Sequence, residues 1–180
     1  MKNFLLIAIT IIIGLSSCQK EARLSSGNDA TKYHLTFKAD GNSKSYTNVL
    51  LAHLDTSAGY ITLTVTGADS LTSANNYFGF YLDNYSGGSP ITAGEYKDVF
   101  TNFTLLSNYT VNALSYIAGQ TIAEEAANNN IAIANHFKVN ITSLDKEAVK
   151  GNFSGDFYEP LNFNGRKVTI TDGSFYVKLQ

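Results

Sequence analysis

The chain has 180 residues, with 13 lysines and arginines against 15 aspartates and glutamates, for a net charge of −2. Charges so balanced and scattered exclude the basic stripe of a nucleic-acid binder and the polybasic segment that holds a protein on anionic lipid. A single cysteine excludes a disulfide framework and a cysteine-rich zinc site.

The first element is Lys2 followed by an apolar run from Phe4 to Leu15 (FLLIAITIIIGL) and then Leu15-Ser16-Ser17-Cys18. A charged start, a short apolar stretch and small residues before a cleavage point make a secretory leader. As a helix the run would cover only about 18 Å of a roughly 30 Å hydrocarbon core, so it cannot span a membrane. Being apolar all round, it is no amphipathic surface helix either.

With Leu15 three positions before the only cysteine, the segment resembles the lipobox of bacterial lipoproteins. The resemblance implies that Cys18 Sγ receives a diacylglyceryl group, that cleavage falls between Ser17 and Cys18, and that the new amino terminus is acylated. Residues 1–17 are then a leader, and two or three acyl chains give the stable anchoring that one chain does not. Losing Lys2 leaves 12 basic residues against 15 acidic ones, a mature charge of −3. What remains is one domain of ordinary size.

Residues 18–32 comprise the lipidated cysteine and a tether. The stretch QKEARLSSGNDAT is polar and aperiodic, and it holds a domain roughly 20 Å from the bilayer. Lys20-Glu21 resembles, with one acid after the lysine, the short export signals of surface lipoproteins in Bacteroidota. The expected location is the cell envelope, lipid-anchored in the outer membrane, with the leaflet left open.

From residue 33 to 180 the period is two. Tyr33, Leu35, Phe37 and Ala39 alternate with polar residues, and the same rule recurs in Ile61/Leu63/Val65, Phe78/Phe80/Leu82, Phe137/Val139/Ile141, Phe153/Phe157, Val168/Ile170 and Phe175/Val177/Leu179. Between them stand turn signals at Asp40-Gly41, Ala58-Gly59, Gly67 to Asp69, Gly87 to Pro90, Leu144 to Ala148, Asn164-Gly165 and Asp172-Gly173. This predicts a single all-β domain, an antiparallel β-sandwich with a small β-barrel as the alternative. Phe153, Phe157, Ile170 and Phe175 are its expected core. Residues 101–135 break the rule: they start strand-like from Phe103 to Val111, continue as a long connection, and offer a helical turn or two around Ile122 to Ala127, ended by Asn128-Asn129-Asn130.

The segments Phe137 to Asp145, Val149-Lys150-Gly151-Asn152-Phe153-Ser154-Gly155 and Val168-Thr169-Ile170-Thr171-Asp172-Gly173-Ser174-Phe175 resemble the closing strands of small β-rich lipoproteins of Bacteroidota. The likeness extends over residues 33–180 and is structural; it implies no activity. Where that family has an aromatic soon after the first Asp-Gly turn, this chain has Tyr46, several residues later, which leaves the register of the first hairpin open.

No catalytic motif stands out. His34 and His136 fall on polar strand faces, no HxxxH or HxH spacing exists for a metal, and no Gly-x-Ser-x-Gly elbow is present. Glu124 and Glu125 are adjacent and diverge on any regular element. Asp83 to Gly88 supplies oxygens but not the spacing of a calcium loop. No catalytic residue, cofactor or metal is expected.

Tyr60, Tyr77, Tyr81, Tyr158 and Tyr176 alternate with the apolar stripes and are therefore expected on the outer face. There, a flat ring with a polar tip suits glycan or protein contact; unpartnered, such rings simply form cross-strand pairs. Asp69-Ser70-Leu71 resembles the Asp-(Ser/Thr)-apolar acceptor of general O-glycosylation in Bacteroidota, which implies Ser70 as the modified residue. The expectation is a membrane-anchored envelope lipoprotein with a non-catalytic β-domain that binds a glycan, a small ligand or an envelope protein. The alternative is an exported hydrolase whose site no motif reveals.

Overall fold

A computed structural model describes residues 32–57, 60–70, 75–84, 89–99, 102–160 and 165–180. The leader, Cys18 and the tether up to residue 31 lie outside the described residues. Strands β1 (His34–Ala39) and β2 (Asn42–Tyr46) form a hairpin whose turn residues Asp40 and Gly41 both have positive φ, 48° and 81°. Two successive residues of that kind are what a two-residue hairpin demands, and Asp-Gly supplies them. The register follows: Ala39 pairs with Asn42 and Leu35 with Tyr46.

The remaining strands are β3 (Val49–Asp55), β4 (Thr62–Ala68), β5 (Asn76–Asp83), β6 (Gly94–Lys97), β7 (Thr104–Val111), β8 (Leu114–Gly119), β9 (Lys138–Leu144), β10 (Ala148–Tyr158) and β11 (Lys167–Lys178), with one helix, α1 (Gln120–Asn128), between β8 and β9. They make a single antiparallel sheet of eleven strands in the order β2-β1-β11-β10-β8-β7-β5-β4-β3, with β9 on β10 and β6 on β9. The class is all-β, as the alternation implies.

The sheet nearly closes on itself. Ala52 of β3 meets Leu179 in a parallel bridge, and the Gln180 N–H donates to the Ala52 carbonyl at 3.0 Å. One continuous sheet is the barrel-like alternative rather than two separate layers. Its two halves nevertheless face each other, because the long β10–β11 hairpin belongs to both: its first part carries β9 and β6, its last part meets β8 at Tyr158.

Aromatic rings from the two halves fill the space between them. Phe78 of β5 stacks on Phe153 of β10, Phe37 of β1 meets the edge of Tyr109 of β7 at 5.4 Å, and Phe80 meets Phe175 at 5.3 Å. The expected core residues Phe153, Phe157, Ile170 and Phe175 are all buried. Burial, with Asp40 beside it, pushes the Tyr109 phenol up to about 12, so it stays neutral inside the protein.

Three local expectations change. Asp172-Gly173 is not a turn: β11 runs through it, and Asp172, at φ 54°, is the extra residue of a β-bulge that shifts the register against both β1 and β10. Gly67 lies within β4, where its missing side chain admits Tyr46, whose Cβ would stand 3.0 Å from an added methyl. The stretch after Val111 is shorter than a free loop, because Asn112 and Ala113 turn the chain with positive φ into β8.

Candidate functional site

The outer face of β4, β5, β7 and β8 carries a groove of about 410 Å³, within the range of small-ligand pockets. Its floor is one cross-strand row: Thr66 pairs with Gly79, Gly79 with Asn108, and Asn108 with Ile117. Tyr77 and Tyr81 stand two residues either side of Gly79 on the same face, so the missing side chain opens a slot between two half-buried rings. A methyl at Gly79 would come within 2.9 Å of Thr66 Oγ1, an approach that a glycine avoids.

The helix supplies the remaining wall. Gly119 lets β8 turn directly into α1 at φ 110°, a conformation and a space closed to other residues because a side chain would meet the Leu105 carbonyl oxygen at 2.2 Å. From there α1 packs on β7 and β8 through the buried Ile122 and Ala126, and Thr121 and Ile122 line the groove.

The groove offers little polarity. The Asn108 amide is engaged by Ser115 at 3.0 Å and Thr110 at 3.1 Å, and Ser107 Oγ donates to the Gly79 carbonyl at 2.7 Å. Burial, and then the neighbouring Asp83 carboxylate, raise the Tyr81 phenol above its usual range, so it is neutral. Threonine hydroxyls and the Tyr81 phenol are the polar groups left to fix an orientation.

The predicted tyrosines do not form one surface. Tyr77 and Tyr81 meet at this groove. Tyr176 lies on the outer face of the other half, against Tyr33 at 5.0 Å and under Lys32 Nζ at 5.4 Å, and Tyr60 is exposed. Tyr158 is a correction, for it is buried at 7 % exposure. At that point β10 leaves β9 for β8, and the chain between α1 and β9 lies against it: the Asp156 N–H donates to the Asn135 carbonyl at 2.8 Å. Gly155 allows the approach, since any side chain there would meet the Phe137 Cα at 2.5 Å. Ser70 follows β4, partly buried, whereas Leu71 lies outside the described residues.

Two polar clusters near that crossing were not legible beforehand. Asp98, 2 % exposed, accepts from His136 Nδ1 at 2.7 Å and from the Phe137 N–H at 2.9 Å, while the His136 side chain is 45 % exposed. Asp156 accepts from Thr169 Oγ1 at 2.8 Å, Lys167 Nζ at 3.1 Å and Asn135 Nδ2 at 3.3 Å. Burial would raise the Asp156 carboxyl, but these hydrogen bonds and the Lys167 charge outweigh it and hold it below the usual carboxylate range. Asn84 is equally structural: it accepts from the Ile61 N–H at 2.9 Å and donates to the Ser89 carbonyl at 2.7 Å, while residues 85–88 of the Asp83 to Gly88 stretch lie outside the described residues.

Among the described residues no group of three or more His, Cys, Asp or Glu side chains is placed to hold a metal, and no helix is long and apolar enough to cross a membrane. Comparisons with protein-family models, with curated proteins and with solved structures return no match. The chemistry of the surface is therefore the guide to function.

Proposed function

We propose that this chain is a lipid-anchored cell-envelope protein, held in the outer membrane through Cys18, whose β-domain binds a small, neutral, largely apolar molecule in the groove over Gly79. The observation that carries the reading is the slot itself. Two tyrosine rings flank a glycine, the floor amide is engaged internally, and a helix forms the wall. The groove residues carry no charge, so a charged ligand would lose its hydration for nothing in return. A flat apolar one gains contact with both rings.

The test uses protein lacking residues 1–26, prepared without detergent so that a dye has no micelle to enter. N-phenyl-1-naphthylamine should brighten on binding. Gly79→Val, which fills the floor and asks Thr66 to rotate and the Val65 carbonyl, 3.2 Å from the new Cβ, to give slightly, should weaken binding about tenfold, the cost of losing roughly one buried side chain's worth of contact. Unchanged binding by a folded Gly79→Val protein would remove the groove from the reading. Ser70 in Asp69-Ser70-Leu71 completes the proposal as a glycan acceptor, read out by the intact mass of native protein against peptide plus lipid.

The alternative, an exported hydrolase, draws on one observation. Buried Asp98 orients a half-exposed His136 through Nδ1, the arrangement a general base uses. Asp98 does a structural job as well, tying β6 to Phe137 at the start of β9.

A further inference from the structure

The half of the sheet opposite the groove presents a face of different chemistry. Outward side chains stand in register across five strands: Glu95 of β6 against Asn140 of β9, Asn140 against Asn152 of β10, Asn152 against Ser174 of β11, and Ser174 against Thr36 of β1. With strands about 4.8 Å apart, this is a row roughly 19 Å long. A second cavity, of about 450 Å³, lies along it, where Ser154 and the Asp172 bulge widen the surface.

Two features separate this row from an ordinary wetted face. Among the described residues the side chains of Asn140, Asn152 and Ser154 make no hydrogen bond within the protein, so two amides and a hydroxyl remain available side by side. The charges beside them are largely paired: Glu95 is shared by Lys97 at 2.9 Å and Lys138 at 3.8 Å, and Lys38 pairs with Asp172 at 2.9 Å, which leaves one lysine charge over. Between these charges the row itself offers neutral groups that both donate and accept.

That chemistry selects the ligand. An amide beside a hydroxyl matches vicinal hydroxyl groups, each of which also donates and accepts. A phosphate-rich or nucleic-acid ligand would need several surplus positive charges, and the single one left by Lys97 and Lys138 sharing Glu95 falls short of that. An added peptide strand would need a free sheet edge; β9, β10 and β11 are each paired on both sides, and only the four-residue β6 at the end of the row pairs on one side among the described residues, so such a strand would lie beside the row and not across it. We propose that the row Glu95–Asn140–Asn152–Ser174–Thr36 binds an extended, neutral, β-linked oligosaccharide lying across the strands. A β-1,4-linked chain is straight enough to keep contact with successive strands, whereas an α-1,4-linked glucan coils away. The site is separate from the groove over Gly79.

The experiment uses the full-length protein in lauryldimethylamine oxide micelles, a detergent without sugar, with cellohexaose as the probe. The Asn140 and Asn152 side-chain amide resonances should shift and saturate, and maltohexaose should bind at least about tenfold more weakly. The double variant Asn140→Ala/Asn152→Ala, with native circular dichroism, should lose about tenfold in affinity. Gly79→Val should bind cellohexaose as the parent does, which keeps this result independent of the groove. No amide shift up to about 10 mM cellohexaose, equal binding of maltohexaose, or unchanged affinity in the folded double variant would each overturn the proposal.

Discussion

Phe78 and Phe153 stack face to face, with ring centroids 4.3 Å apart and planes 17° from parallel, and they come from opposite halves of the sheet. Three further core rings pack against that pair. Phe37 touches both rings, and Phe157 packs on Phe78 while Phe175 packs on Phe153. Removing one ring from such a cluster leaves a cavity that several neighbours would have to fill at once.

Phe175→Ala should therefore cost about 3 to 5 kcal/mol, a large share of a domain's margin. Tyr176→Ala, one residue on and facing out, should cost less than about 1 kcal/mol, because it loses a cross-strand pair rather than a packed ring. Urea midpoints read the difference, and equal losses would mean that both faces of β11 are core.

Two glycines with positive φ should respond differently to alanine. At Gly41 nothing lies within 4 Å of the added methyl, so only the backbone preference is lost, about 1 kcal/mol. At Gly155, φ 153°, the methyl also meets the Phe137 backbone at 2.5 Å. Gly155→Ala should cost well over about 2 kcal/mol, and thermal melts of the two variants would show the gap.

The buried Asp156 makes stability depend on acid. Its carboxyl is held below its ordinary value in the folded protein, so near that value the unfolded chain binds more protons than the folded one and stability rises with pH. The contribution is complete above the unfolded value of about 3.9 and is lost as pH falls through the lower folded value. Melting temperatures from pH 7 down to about pH 3 should fall less steeply in Asp156→Asn than in the parent.

Anchoring has its own test. On the proposed lipoprotein reading, Cys18→Ala should accumulate as unprocessed or mislocalised precursor, because an acylated sulfur would be what the maturation step recognises. Normal maturation with retention in detergent-extracted outer membrane would sink the lipoprotein reading.

How much was legible varied with how local the cause was. The alternation of Phe175, Val177 and Leu179 placed a strand and its buried face without reference to anything distant, and Ala and Glu around Ile122 to Ala127 marked α1. Asp172-Gly173 misled because the dipeptide that turns a hairpin also makes a bulge, and only the neighbouring strands decide between them. Tyr158 alternates with the apolar stripe, yet it is buried where β10 passes from β9 to β8 and Asn135 pairs with Asp156, a juxtaposition that no period contains. The groove was half visible: Tyr77 and Tyr81 were singled out, and Gly79 between them was the available clue. Ile117, Thr121 and Ile122 come from the segment whose pattern was weakest. The Asp98–His136 pair joins residues far apart in the chain and carries no spacing signature at all.

The pairing of β1 with β11, Leu35 against Phe175, bears on when this protein can acquire its shape. The two outermost segments of the domain meet only once everything between them is available, and β3 must then find Leu179 to draw the ring shut. Sheets dominated by such distant partners form in milliseconds to seconds rather than microseconds. On the export route proposed above, a chain threaded from its amino terminus would arrive with β1 still lacking its partner. It would then stay extended during passage and assemble only on the far side.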